Sequence, residues 1–239
     1  MIEGQTVLAI VPARSGSKGI RDKNMSLVGG LSLIARAGEI LAQIPWIDRR
    51  VISTDSPQYA EEGQAHRLEV PFLRPENLSN DDAGALETIV HALLTCEQLD
   101  GRTYGLIVLV EPTSPLRQPG DIELTVRTLL RTGADSAVTV SRIDTKWHPD
   151  KAFLVAEGLL KFYTPRGKAV TRRQLLTPLY SRNGLCYCFR REALLVQQAL
   201  ITQNTVPVFT DRPVVNIDEP LDLLWAEFLL DRCGNQVRV

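Results

Sequence analysis

Between Arg14 and Asn24 the chain reads Arg14-Ser-Gly-Ser-Lys18-Gly-Ile-Arg-Asp-Lys23-Asn24, a loop holding two glycines, two serines and four cations. It separates an apolar run that breaks off at Pro12 from a helical pattern that resumes near Ser32. Glycines let backbone approach an anion closely and aim successive N–H groups at it, while Arg and Lys supply the opposing charge. The chemistry on offer is the cradling of a phosphate, with a merely solvated basic loop as the alternative. No Gly-Lys-Ser/Thr follows at the Walker spacing, and the second and third glycines of a dinucleotide fingerprint are not both present, so any cradle here is a variant one.

Two further polar stretches could carry chemistry. Glu111-Pro-Thr-Ser-Pro-Leu-Arg117 follows the most apolar run of the chain, and Asn216-Ile-Asp218 follows the last one. Acidic groups at strand ends facing a cationic cradle are what magnesium-assisted nucleotidyl transfer needs. Mg²⁺ takes one or two carboxylates together with phosphate oxygens, and the cations neutralise charge that builds up on a leaving pyrophosphate. Taken alone, Asp218 could equally cap the helix that follows it.

The elements that must position these stretches alternate in type. The spacing predicts a strand over Thr6 to Val11, a helix with Leu33, Ile34, Ala37, Ile40, Leu41 and Ile44 inward, and a second strand over Arg50 to Asp55. A helix around Ser56 to Arg67, a short third strand from Glu69 to Leu73 and a helix with Leu86, Ile89, Val90, Leu93 and Leu94 inward follow. Gly105 to Val110 reads as the central strand, followed by a helix carrying Ile122, Val126, Leu129 and Leu130, and by a fifth strand from Asp135 to Ser141. Such alternation favours a doubly wound, mainly parallel α/β sheet, whose polar strand ends share the edge where ligands bind. The pattern changes between about 142 and 182, where Ala152 to Tyr163 reads as a hairpin turning at Glu157-Gly158 with a basic run after it. This insertion is a lid, an arm or an oligomer contact, or else a decorated edge. The α/β pattern returns with Asn183 to Arg190, Val206 to Phe209 and a strand ending at Asn216-Ile-Asp218, before a final helix with Leu221, Leu224, Trp225, Phe228 and Leu229 inward.

The 239 residues suffice for a single well-buried domain, and 44% hydrophobic with 23% charged residues is ordinary for a soluble globular chain. A net charge of −1 argues against a nucleic-acid polymer or an anionic membrane as the main partner. No apolar run nears the roughly 18 residues that span a bilayer, and Met-Ile-Glu-Gly-Gln does not read as a signal peptide, so a cytoplasmic protein is expected. Cys96, Cys186, Cys188 and Cys233 lack paired metal-ligand spacing; Cys186 and Cys188 would share one strand face as small hydrophobes. The three histidines are scattered, which fits Ser/His/Asp and Cys/His hydrolases poorly.

Ile10-Val-Pro-Ala-Arg14-Ser-Gly-Ser-Lys18-Gly-Ile-Arg-Asp-Lys23-Asn24, Ser53-Thr-Asp55, Leu73-Arg74-Pro75, Glu111-Pro-Thr-Ser-Pro-Leu-Arg117, Arg182-Asn183-Gly184 and Asn216-Ile-Asp218, taken in this order, resemble the CMP-sialic acid synthetases, the acylneuraminate cytidylyltransferases. The resemblance spans nearly the whole chain. It implies a single nucleotidyltransferase domain over 1–239 with a nucleotide-diphospho-sugar transferase-like Rossmann variant fold, and an inserted dimerisation arm at about 142–182 that covers the partner's site. The implied reaction joins CTP to the anomeric hydroxyl of an acidic nine-carbon sugar, with Mg²⁺ or Mn²⁺ as cofactor, in a homodimer. Carried over by position, Lys23, Arg14 and Asp218 would be catalytic. Ala13, Arg14, Ser15, Lys18, Lys23, Asn24 and Arg74 would bind the nucleotide. Glu111, Thr113, Ser114, Arg173, Arg182 and Asn183 would bind the sugar, its carboxylate meeting the two arginines, and Asp218 with Asn216 would hold the metal.

Three positions depart from the family pattern. Glu111 stands where sialic acid enzymes commonly carry Gln, which replaces an amide able to donate by an acceptor-only carboxylate. Asn216 stands where many members have Asp, removing a full charge from one metal position. Ser79-Asn80-Asp81-Asp82-Ala83-Gly84 lacks a hydroxyl expected to help read the nucleoside. The last two motivate a rival reading, a catalytically reduced sugar-nucleotide binding or regulatory protein of the same fold. An NAD-dependent oxidoreductase is disfavoured by the incomplete glycine fingerprint.

Overall fold

The computed structural model describes residues 1–80 and 83–235, with the side chains of 233–235 outside that description. In chain order its elements are β1 (Val7–Pro12), β2 (Leu27–Val28), β3 (Leu31–Ser32), α1 (Leu33–Ala42), β4 (Arg49–Ser53), α2 (Pro57–Ala65), α3 (Ala85–Asp100), β5 (Leu106–Leu109), α4 (Pro119–Thr132), β6 (Ser136–Arg142), β7 (Phe153–Ala156), β8 (Leu159–Phe162), β9 (Tyr180–Arg190), α5 (Arg191–Gln197), β10 (Thr205–Phe209) and α6 (Pro220–Asn235). The central sheet runs β10-β6-β9-β5-β1-β4, with β9 antiparallel to both its neighbours and the other pairs parallel. This is the doubly wound, mainly parallel sheet expected from the sequence.

Alternation along the strands divides the core. Val7, Ala9 and Val11 of β1 join Leu106, Val108, Cys186 and Cys188 under α1 and α4. Leu8, Ile10, Ile107, Leu109, Tyr187 and Phe189 face the other way, under α3 and α5. Cys186 and Cys188 thus share one buried face, and burial pushes the Cys186 thiol up to about 12. Burying each such aliphatic side chain stabilises by about 1.5–3 kcal/mol, so both sheet faces must be covered by helices. No helix among the described residues is long and apolar enough to cross a membrane.

Several expectations need correction. Glu69 to Leu73 is not a strand: Glu69 pairs with Val51 in a single parallel bridge, and Pro71, which has no N–H, ends the pairing. The stretch before Asp218 is extended but unpaired, anchored by one backbone bond from Ile217 to the Thr113 carbonyl at 2.8 Å. Leu94 faces solvent, because the buried face of α3 is Thr88, Ile89, Ala92, Leu93 and Cys96. In α6, Leu221, Leu224, Trp225 and Phe228 are 45–71% exposed, and of the predicted inward set Leu229 alone is buried. That helix is apolar on two sides, so its periodicity does not decide which side packs. Ala226 and Leu229 lie against Val28, Leu33, Leu116 and Ile217.

The predicted hairpin is present, with β7 and β8 pairing antiparallel apart from the main sheet. Its turn needs positive φ at both centres, which Glu157 (55°) and Gly158 (76°) adopt. Phe153, Leu154, Val155, Leu159, Leu160 and Phe162 are all exposed on it.

Candidate active site

The C-terminal edge of the parallel strands gathers the polar stretches. β1 delivers the basic loop, Thr54 and Asp55 follow the end of β4, and Glu111 lies just past the end of β5. The first residue of the loop, Ala13, is buried and gives its amide to the Ser53 carbonyl at 3.0 Å. Ser15 donates its amide to Asp55 Oδ1 at 2.8 Å and its hydroxyl to Asp55 Oδ2 at 2.5 Å. Asn24, also buried, donates from Nδ2 to the Arg14 carbonyl at 3.1 Å. Expected as ligands of the nucleotide, Ser15 and Asn24 act through these bonds as struts that fix the loop's path.

Across the cleft, Lys23 Nζ stands 3.0 Å from Asp218 Oδ1. A Cβ on Gly19 would lie 2.6 Å from the Asp218 carbonyl oxygen, so the loop meets this segment at two places and only glycine fits at one of them. Asn216 and Asp218 are exposed on either side of buried Ile217, which places both toward the same side of an extended chain. Among the described residues no group of three or more His, Cys, Asp or Glu could hold a metal by itself. One carboxylate with an amide oxygen nevertheless fits Mg²⁺, which completes its shell from phosphates and water.

Glu111 forms the next wall. Burial raises its carboxyl pKa, against the opposing pull of Arg117, Arg182 and Lys23, and Asp218 adds to the rise. Tyr187, next to it, has its phenol pushed up to about 12, first by burial and then by the nearby Glu111 carboxyl. Gly184, at φ 71°, brings β9 so close that a Cβ there would sit 2.5 Å from both Glu111 Oε2 and Ser114 Oγ. Ser114 is buried and donates to the Asn183 carbonyl at 3.1 Å, so it supports the wall from behind rather than facing a ligand. Asn183 is equally buried, donating to Ser141 Oγ at 3.0 Å. Thr113 contributes the carbonyl that anchors Ile217.

Beneath the wall lies Arg117, 5% exposed, donating to the carbonyls of Glu111 (2.5 Å), Gly184 (2.9 Å) and Leu185. Burial pulls its guanidinium down to about 10. Arg74 is a second buried cation, held by the Ser53 carbonyl at 2.6 Å and by Thr88 Oγ1 and the Leu78 carbonyl at 3.4 Å. Among the described residues its Nε, with Ser53 Oγ and His91 Nδ1, is buried without a hydrogen-bond partner.

The structure thus brings Lys23, Asp218, Glu111 and Arg182 into one group. Arg173 lines a separate hollow with Arg142, Ile143 and Asp144, and among the described residues no hydrogen bond or ion pair ties it to that group. Asp81 and Asp82, on which the thinned-loop argument rested, lie outside the described residues. A hollow of about 720 Å³ between Gln5, Arg190 and Gln197 sits at the opposite sheet edge, where Arg191 is engaged by Glu97 and Asp135 by Gln197. Size alone does not make it the site. Asp55, Arg117 and Tyr187 carried no predicted role. The first two stood inside recognised motifs, whereas Tyr187 gave no sign separating it from a core aromatic.

Comparison with known proteins gives the family and the fold. Residues 8–229 match the family described as cytidylyltransferase. The chain is 29% identical to the CMP-N,N'-diacetyllegionaminic acid synthase of Legionella pneumophila over 94% of its own length and 96% of that protein. It is 30% identical to the N-acylneuraminate cytidylyltransferase of Streptococcus agalactiae, over 83% of this chain and 46% of that one. Among solved structures, CMP:2-keto-3-deoxy-manno-octonic acid synthetase complexed with CTP superposes with a TM-score of 0.67 at 16% identity, covering 95% of this chain and 99% of that one. At that identity the likeness concerns the fold.

Proposed function

The chain belongs to the cytidylyltransferase family, and from that membership we propose that it joins CTP to the anomeric hydroxyl of a nonulosonic acid, giving a CMP-sugar and pyrophosphate. The observation that carries this reading is the meeting of Lys23 with Asp218 at 3.0 Å beside Glu111, a cradle cation and an opposing carboxylate at one edge of the sheet. The sugar is N-acetylneuraminate or a relative such as legionaminate, pseudaminate or the deaminated sugar.

In this reading Arg14, Lys18 and Lys23 bind the triphosphate, with Arg74 on the nucleoside side. The sugar's anomeric oxygen forms a bond to the α-phosphorus as the α–β bridging oxygen leaves with pyrophosphate, and the hydroxyl proton passes to solvent. Lys23 neutralises charge growing on the phosphates, which is worth most in a preorganised site that needs no reorganisation during the reaction. Arg182 pairs with the sugar carboxylate, and Glu111 accepts from a donor on the sugar. Asp218 and the Asn216 amide oxygen would hold Mg²⁺ or Mn²⁺, which when bound neutralises triphosphate charge and makes the sugar hydroxyl more acidic.

A homodimer accompanies this reading, supported by the exposed apolar faces of the β7–β8 arm and of α6. A cytoplasmic location follows from the supply of CTP. The test is pyrophosphate release with CTP, Mg²⁺ and a panel of nonulosonic acids. Release that requires all three components is expected; CTP binding without release on any of these sugars would leave the non-catalytic reading in its place.

A further inference from the structure

The basic loop is held from behind by an acidic residue with no part in the reaction described above. Asp55 receives both donors of Ser15, the amide on one oxygen and the hydroxyl on the other. Burial pulls the Asp55 carboxyl up, but these two bonds and the nearby Arg74 charge outweigh it and hold the carboxyl below its ordinary range. Arg74 is fixed in turn through the Ser53 carbonyl, which also receives the Ala13 amide. A second tie, from the Tyr59 hydroxyl to Asp22 Oδ1 at 3.2 Å, secures the loop's far end.

Gly16, at φ 71°, and Gly19 lie between these ties, and a loop with two glycines loses more conformational freedom on ordering than most. If it were ordered only by an incoming anion, that cost would be subtracted from nucleotide affinity. A carboxylate beside a phosphate site ordinarily repels the ligand. Here both of its oxygens are capped by Ser15, so its charge serves the loop and the adjoining guanidinium.

We infer that Asp55 is a positioning residue for nucleotide binding: standing just after β4, it holds the amide and hydroxyl of Ser15 and so presets the path of residues 13–19. This rests on the reading that the loop takes the CTP triphosphate. Asp55 touches neither substrate, so its effect belongs in nucleotide affinity rather than in turnover at saturation.

The experiment is calorimetric titration of CTP into the wild type, Asp55→Ala, Asp55→Asn, Ser15→Ala and the Ser15→Ala/Asp55→Ala double variant, with KM and kcat measured alongside. Asp55→Ala is expected to weaken CTP by about tenfold or more, with kcat at saturating CTP within about threefold and the KM for sugar unchanged. Asp55→Asn, which keeps one acceptor oxygen, recovers part of the loss, and the double variant is no weaker than Asp55→Ala alone, because Asp55 acts through Ser15. Unchanged CTP affinity in Asp55→Ala, or strictly additive losses in the double variant, overturns the inference. Should Asp55→Ala fail to melt cooperatively, Ser15→Ala and Asp55→Asn decide, and wild-type CTP affinity in both is the refuting result. Absence of CTP binding by the wild type would instead remove the functional reading itself.

Discussion

Replacing Lys23 by Ala separates what the Lys23–Asp218 pair does for the fold from what it does for the reaction. The ion pair spans 3.0 Å, with the lysine side chain 16% exposed and the aspartate 70% exposed. A pair open to water on its acidic side contributes at most about 1 kcal/mol, and in a chain of this size that shifts Tm by about 2–4 °C. Asp218, reached by water, is not left as a buried unpaired charge, and Glu111 keeps Arg117 and Arg182 nearby. The transition state is affected differently. Loss of one preorganised electrostatic donor typically costs about 3 kcal/mol, or more than about a hundredfold in rate. The expected outcome is a fall in kcat of about a hundredfold or more with Tm within a few degrees of wild type, read by pyrophosphate release at saturating substrates and by scanning calorimetry. A kcat within about threefold of wild type would make Lys23 a surface cation. A rate loss accompanied by a Tm drop beyond about 10 °C would refute the division of roles just as firmly.

Glu111→Gln is expected to change the order of preference among nonulosonic acids while CTP affinity holds; collapse of CTP binding would put Glu111 on the wrong side of the site. The same variant tests the raised carboxyl pKa. A group held above its ordinary 4.5 contributes stability that is complete below that pH and lost as pH rises through the folded value. The variant's Tm should therefore gain on the wild type's as pH rises above 4.5, and a constant difference would refute the burial argument. Gly184→Ala meets two oxygens at 2.5 Å in a left-handed conformation. It should cost about 2 kcal/mol in thermal unfolding and raise the KM for sugar more than that for CTP. Leu224→Asp, on the exposed stripe of α6, should convert a dimeric gel-filtration mass to a monomeric one, whereas a wild-type chain that already elutes as a monomer contradicts the proposed assembly.

The sequence made the sheet legible because its strands are covered on both faces and read as continuous apolar runs, each followed by an amphipathic helix. It was weakest where a segment is extended without a partner. Val214 to Ile217 has the composition of a strand, yet it is held by one backbone bond behind Pro213. Helix α6 misled for another reason: apolar residues on two of its sides satisfy a helical period twice over, and the side that packs is chosen by the surface it meets. The site's first line, Lys23, Glu111 and Asp218, was visible as polar strand ends. Its supports were not. Arg117 beneath three carbonyls and Asp55 behind Ser15 act through backbone groups whose positions no residue pattern reveals.

The antiparallel β9 has a consequence for how the protein is made. It alone lies between β4-β1-β5 on one side of the sheet and β6-β10 on the other. During synthesis the apolar outer edge of β5 therefore stays open until Tyr187 and its neighbours emerge, several seconds later at about 5–20 residues per second. An open edge of Leu106–Leu109 invites pairing with another nascent chain. The arm is translated within that interval, so its length prolongs the time for which the half-built sheet stands open.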